Sequence, residues 1–206
     1  AAVGGKRWEA LYEAAKYASS GAGHVRARIF ADAMLGNVTR KDLLSRITQQ
    51  RQQDAVRALG LLPLAGGRKR DTDVLDRYHA IHEFMRGSRA FGSQRQVSER
   101  RAAQIALDNL ARNAGYRDPI RLQWAMEARA IEDVADGPIT VSVDAVTASL
   151  GIDAWGEIAF TVTKDGKRLA AVPAKMKKEP RIAALRARKT ELSRQAARIR
   201  PALEEL

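Results

Sequence analysis

From Trp8 to about residue 136 the apolar positions recur every three or four residues, the period of a helix buried on one side. Trp8, Leu11, Tyr12 and Ala15 form a first stripe. Val25, Ile29, Ala33 and Met34 form a second, closed by Gly36-Asn37, and Gly21-Ala22-Gly23 breaks the chain between them. Thr39 followed by Asp42 has capping-box spacing. The helix it opens carries Leu43, Leu44 and Ile47 and extends to Leu59, where Gly60 and Pro63 end it. A glycine-rich basic loop leads to the stripe Val74, Leu75, Tyr78, Ile81, His82 and Met85. Ser93 and Gln96 predict a second capping box ahead of Ile105, Leu107 and Leu110, with Gly115 just past the helix end. Asp118 as N-cap and Pro119 at the first helical position open a helix with Leu122, Trp124, Ala125 and Met126. It ends near Asp136-Gly137-Pro138.

The period then changes from 3.6 to 2. Ile139, Val141 and Val143 alternate, as do Val146, Ala148, Leu150 and Ile152, and then Ile158, Phe160 and Val162. Asp144-Ala145, Asp153 to Gly156, and Asp165-Gly166 are the turns between them, and Leu169 and Val172 close a fourth strand. Connections this short force antiparallel neighbours, a β-meander with one apolar face that needs a cover. Glu179-Pro180 then opens a long helix with the seam Ile182, Leu185, Lys189, Leu192, Ala196, Ile199 and Leu203, alternating steps of three and four. Pro201 is expected to kink it or end its regular part. This helix, or that of 118–133, is the natural cover for the sheet.

The expectation is an α+β chain: a mainly helical array over 1–137, with a sub-boundary near 61–71, then a small antiparallel β-meander and a long basic C-terminal helix over 138–206, packed on it as one fragment. A degenerate helical solenoid is a weaker option for the array. The chain starts without methionine and ends inside a helical pattern, and we read it as a piece of a longer polypeptide. Apolar residues at 45% suit a globular domain, and aromatics at 5% favour helices packed through small side chains. With no cysteine, disulfides, thiolate catalysis and thiolate zinc sites are excluded. No apolar run reaches the roughly 18 residues of a membrane span, and the expected location is cytoplasmic, with no membrane partner.

The net charge of +12 is uneven. Residues 164–206 carry 13 Lys+Arg against 5 Asp+Glu, residues 68–101 carry 9 against 5, and the remainder cancels. Two segments concentrate this charge into candidate contacts for nucleic acid or an acidic partner: the loop Arg68, Lys69 and Arg70, and the run Lys175, Lys177, Lys178, Arg181, Arg188, Arg194 and Arg198. Solvated charge is the ordinary role of such residues. The chain shows no base-reading motif and no exposed aromatic pair of the kind that single-strand binders use.

The remaining motifs have structural readings. Ala65 to Arg70 lacks the spacing of a phosphate loop and follows no strand. His79, His82 and Glu83 share a helix without zinc-protease spacing, and we read the histidines as structural. Serines have no nucleophile-elbow context, and Asp133, Asp136, Asp144 and Asp153 stand at turns and helix ends, where Asp caps. We expect no catalytic residue, metal site or cofactor, and no enzyme.

Several segments carry a family resemblance: Leu75-Asp76-Arg77-Tyr78, Glu83 to Gln96 (EFMRGSRAFGSQRQ), Ala106 to Arg112 (ALDNLAR), Gly115 to Pro119 (GYRDP), Trp124-Ala125-Met126-Glu127, Val162 to Lys167 (VTKDGK) and Val172-Pro173. Over 73–206 the chain resembles the middle-to-late region of very large bacterial MolR-like proteins. The resemblance implies a cytosolic multidomain protein in which the basic helix runs on into a C-terminal domain of unknown function. It also implies genomic neighbours of the MoxR-type ATPase and von Willebrand A-type classes as partners, beside other domains of the parent. It supplies no catalytic residues. Some of these proteins carry a WGR module, but Trp155-Gly156-Glu157 is not that motif. The expected function is a non-enzymatic scaffold or adaptor segment; the alternative is a nucleic-acid-binding module using the C-terminal helix and the Arg68–Arg70 loop.

Overall fold

The computed structural model describes residues 4–18 and 23–204, the side chains of 18 and 200–204 excepted. The expected break at Gly21-Ala22 and the side chains of Arg200 and Leu203 therefore lie outside the described residues. The fold is α+β, with helices followed by a four-stranded antiparallel sheet and a C-terminal helix. It divides into two compact units, residues 1–126 and 127–206. The change of sequence period falls at 137, whereas the second unit takes in the short helix ahead of the strands.

Unit 1 contains α1 (Gly5–Ala18), α2 (Gly23–Leu35), α3 (Arg40–Gln50), α4 (Gln53–Leu59), α5 (Arg70–Gly87), α6 (Ser93–Ala114) and most of α7 (Pro119–Arg129). Its core joins Leu43, Ile47, Val56 and Leu59 to Tyr78, Ile81, Leu110, Leu122 and Met126. The buried face of α6 is mostly alanine, including Ala102, Ala103, Ala106 and Ala111. Alanine lets neighbouring backbone come close, and a Cβ on Gly60 would stand 2.5 Å from the Ala106 carbonyl oxygen. Residues 61–71 lie within this unit and share its core through Leu62.

The expected caps form at Thr39, which exchanges both capping-box bonds with Asp42, and at Asp118, which accepts from the Arg121 N–H at 2.8 Å. Gly115 takes the left-handed conformation, φ 82°, that ends α6. Four expectations are corrected. The single helix over 39–59 is two, because Arg51 turns left-handed (φ 49°) between α3 and α4. Ser93 is not an N-cap: Gly92 holds that position without a side-chain bond, and Gln96 Nε2 reaches back to the Phe91 carbonyl at 2.7 Å. The helix opened at Asp118 stops at Arg129, and a separate turn, α8 (Glu132–Ala135), follows. Leu11, Val25 and Met34, placed on apolar stripes, are each 56% exposed.

In unit 2, β1 (Ile139–Val143), β2 (Val146–Ile152), β3 (Ile158–Lys164) and β4 (Lys167–Leu169) pair in sequence order, all antiparallel. Asp165 and Gly166 both take positive φ, the type I′ geometry that matches strand twist. Val172 is buried but lies beyond β4. One face of the sheet buries Val146, Ala148, Leu150 and Val162 against Val134 of α8 and against Ile182, Leu185 and Leu192 of α9 (Pro180–Glu204). α9 stays helical through Pro201. Its seam differs from the expected one at two positions: Lys189 and Ala196 are exposed, and Gln195 is buried in their place. No helix among the described residues is long and apolar enough to cross a membrane.

Candidate functional site

The loop after α4 carries the first basic candidates, and buried ionic bonds fix it. Arg77, 3% exposed, donates to the Leu62 carbonyl at 2.7 Å and the Pro63 carbonyl at 2.8 Å while pairing with Asp73 at 2.6 Å. Asp73 also accepts the Ala65 N–H at 3.0 Å. Burial pushes the Asp73 carboxyl up, but the Ala65 N–H and the Arg77 and Arg40 guanidinium groups outweigh it and hold the group below the usual carboxylate range. Asn113 Nδ2 donates to the Gly60 and Leu62 carbonyls at 3.0 and 2.6 Å.

Arg68 and Lys69 follow on an exposed 3-10 turn, Gly67–Lys69, which runs into α5 at Arg70. The Arg70 guanidinium donates to the Ala114 carbonyl at 2.7 Å, satisfying one of the orphan carbonyls at the end of α6. This bond brings the loop to the joint where α6 turns at Gly115, and so beside Arg112 and Arg117, both exposed. Arg68, Lys69, Arg112 and Arg117 form no ion pair with any described residue, whereas Asp118 in the same joint is held by Arg121. The sequence reading missed Arg112 and Arg117. Their only signal was position, one turn before and two residues after a helix-ending glycine, which shows its meaning once α5 and α6 are placed side by side.

In unit 2 the candidate cations separate into two groups. Lys175, Lys177 and Lys178 lie exposed on the 3-10 turn Ala174–Lys178 and make no ion pair with described residues. The candidate arginines of α9 and its start are engaged. Arg188 pairs with Asp133 and donates to the Ala130 carbonyl. This guanidinium holds the Asp133 carboxyl below its usual range. Arg198 forks onto buried Glu127 at 2.6 and 3.1 Å, beside the Gln195 amide that reaches the same carboxylate at 2.9 Å. Arg181 pairs with Glu179 and Arg194 with Glu191.

The division into units redistributes the net charge. Residues 127–163 hold one basic residue, Arg129, against seven acidic ones. Unit 2 thus carries 14 Lys+Arg against 12 Asp+Glu, a net +2, and unit 1 carries 22 against 12, a net +10. The +8 of residues 164–206 is thus largely offset within unit 2 by the −6 of residues 127–163, and most of the chain's net charge lies in the helical unit.

The His79 and His82 rings lie 5.8 and 4.3 Å from that of Tyr78. Among the described residues no group of three or more His, Cys, Asp or Glu is placed to hold a metal. A cleft of about 340 Å³ beside α2 and α3 is lined in part by Arg28, Asp32, Asp42 and Asp54. Arg28 bonds Glu9 and Asp32, Thr39 bonds Asp42, and Arg26 and Arg57 bond Asp54.

At the tip of the β2–β3 hairpin Trp155 is 86% exposed. Asp153 Oδ1 fixes that turn, accepting the Trp155 and Glu157 N–H groups, each at 2.9 Å.

Comparison with curated proteins and with solved structures finds no match. A family model does match, over residues 1–126, the same limits as unit 1 and its basic joint, and on that match the chain belongs to DUF5724, a family of unknown function.

Proposed function

We propose that the chain is a non-enzymatic scaffold or adaptor segment of a large, cytoplasmic, multidomain bacterial protein of the MolR-like kind. Its partners are other domains of that parent and, by family analogy, MoxR-type ATPase or von Willebrand A-type proteins. The MolR-like premise comes from the resemblance over 73–206, not from the family match. The observation that carries the reading is Trp155, almost fully solvated on a turn locked by Asp153. A tryptophan in water forfeits a large apolar payload, and tryptophan is the residue type most enriched at the energetic centres of protein interfaces. A pre-ordered turn keeps the entropy cost of docking low.

The test is calorimetric titration of the chain with purified domains of the parent and with the neighbouring ATPase and von Willebrand A-type proteins, for wild type and Trp155→Ser. Micromolar or tighter binding that weakens at least about tenfold in the variant supports the reading, since anchor residues contribute 2 kcal/mol or more. Absence of binding, or equal binding by the variant, counts against it.

The second reading is nucleic-acid binding. Arg68, Lys69, Lys175, Lys177 and Lys178, which form no ion pair with any described residue, favour it. A duplex-binding titration at about 50 and 200 mM salt tests it, since binding through several phosphates falls by orders of magnitude across that range.

A further inference from the structure

We infer that the joint between the start of α5 and the end of α6 is a docking surface for the phosphate backbone of duplex nucleic acid, with Arg68, Lys69, Arg112 and Arg117 as its contacts. This depends on the second reading for its class of partner and goes beyond it in placing the site within unit 1, with two residues that sequence position did not suggest.

The Arg70 bond to the Ala114 carbonyl draws two basic segments more than forty residues apart into one patch, 2.7 Å from donor to acceptor. Four exposed cations of that patch have no carboxylate partner among the described residues, although nine of the unit's twelve acidic residues stand in ion pairs and a tenth, Asp42, in a cap. Arg68, Lys69 and Arg70 also stand at the positive end of the α5 dipole, where Asp71 and Asp73 are the acidic residues of the first turn. Exposed cations at one joint attract an approaching polyanion.

Three features favour nucleic acid over an acidic protein. The net +10 of unit 1 attracts a polyanion over its whole surface, where a few carboxylates would be met locally. Three of the four contacts are arginines, whose planar fork matches phosphate oxygens. Gly66 and Gly67 have nothing within 4 Å of where a Cβ would stand, so a backbone can approach the loop closely. Tyr116, the aromatic residue of this joint, is partly buried against the core, which favours a duplex over a single strand.

The test uses the 206-residue chain and a fluorescent 20-bp DNA duplex, read by anisotropy between about 50 and 200 mM salt. With four phosphates neutralised, log affinity should fall with log salt at a slope of about −3 to −4. Arg68→Glu/Lys69→Glu and Arg112→Glu/Arg117→Glu should each weaken binding by about tenfold or more and reduce the slope by about 2. Lys175→Glu/Lys177→Glu/Lys178→Glu should change it less. The four substituted side chains make no hydrogen bond with any described residue, so circular dichroism should stay unchanged. Binding that is lost in the Lys175/Lys177/Lys178 variant and kept in the other two overturns this inference while leaving the second reading standing. Absence of duplex binding at the lower salt overturns both. Equal displacement of the duplex by poly-glutamate at matched charge overturns the choice of nucleic acid.

Discussion

The guanidinium of Arg51 lies where a side chain on Gly87 would be: a Cβ there would stand 2.7 Å from Nη1. Arg51 cannot easily give way, because Nε and Nη2 fork onto buried Glu99 at 3.1 and 2.5 Å and Nη2 reaches the Phe84 carbonyl at 2.8 Å. Its cationic carbon also lies 4.5 and 5.1 Å from the ring centres of Phe84 and Phe91. Gly87→Ala should cost about 1–3 kcal/mol by overpacking. Urea melts should show this, with Gly66→Ala, in open space at ordinary φ, unchanged or slightly stabilised.

Gly60→Ala should be at least as damaging, by about 3 kcal/mol. Its Cβ would meet backbone, the Ala106 oxygen at 2.5 Å and the Leu110 nitrogen at 2.8 Å, so whole helices must separate. A midpoint equal to wild type would show that α4 and α6 do not approach as described.

Glu99 sets an acid limit. Burial raises its carboxyl, but hydrogen bonds from Arg51 and Arg95 outweigh that and hold it below the ordinary glutamate range. A carboxyl lowered on folding contributes stability that is full above its unfolded pKa of about 4.3 and is lost as pH falls through the folded value. Unit 1 should therefore lose stability below about pH 4, and Asp73 adds in the same direction. Glu99→Gln should flatten that acid limb and cost about 3–5 kcal/mol at neutral pH, since it leaves Arg51 without its anion. Thermal melts from pH 3 to 7 measure both.

The Asp73–Arg77 pair makes a prediction about the loop. Arg77→Met should unfasten the Leu62 and Pro63 carbonyls and leave the Asp73 carboxylate with Arg40 as its remaining cationic partner, costing about 3 kcal/mol. Asp73→Asn in addition should recover part of that. Hydrogen exchange at Ala65, whose N–H Asp73 accepts, should accelerate in both.

Trp155→Ser should leave stability within about 0.5 kcal/mol, as its side chain is solvated. Asp153→Ala should cost about 1 kcal/mol by removing the acceptor for two turn N–H groups. Parity between the two variants in chemical melts would contradict the described turn.

Local signals were legible in the sequence. The Thr39 box, the Asp118-Pro119 start, the Gly115 stop and the Asp165-Gly166 turn depend on neighbours a few residues away, and each forms where the spacing places it. Two of the misses come from distant partners. Helix propensity runs through Arg51, and the break there is sustained by Glu99, 48 residues on. Gln195 enters the α9 seam because Glu127, 68 residues earlier, accepts its amide. The candidate cations show the same limit: composition marks Arg188 and Arg198 as surface charge, and only the fold places Asp133 and Glu127 against them.

The order of unit 2 along the chain bears on its synthesis. Each strand finds its neighbour within one short turn, so the sheet can pair as soon as it leaves the ribosome. The lid on its apolar face comes last, with Ile182, Leu185 and Leu192. Throughout that interval Ala148, Leu150 and Val162 have Val134 of α8 but not α9 to cover them, and a nascent chain stalled before residue 182 is prone to aggregate.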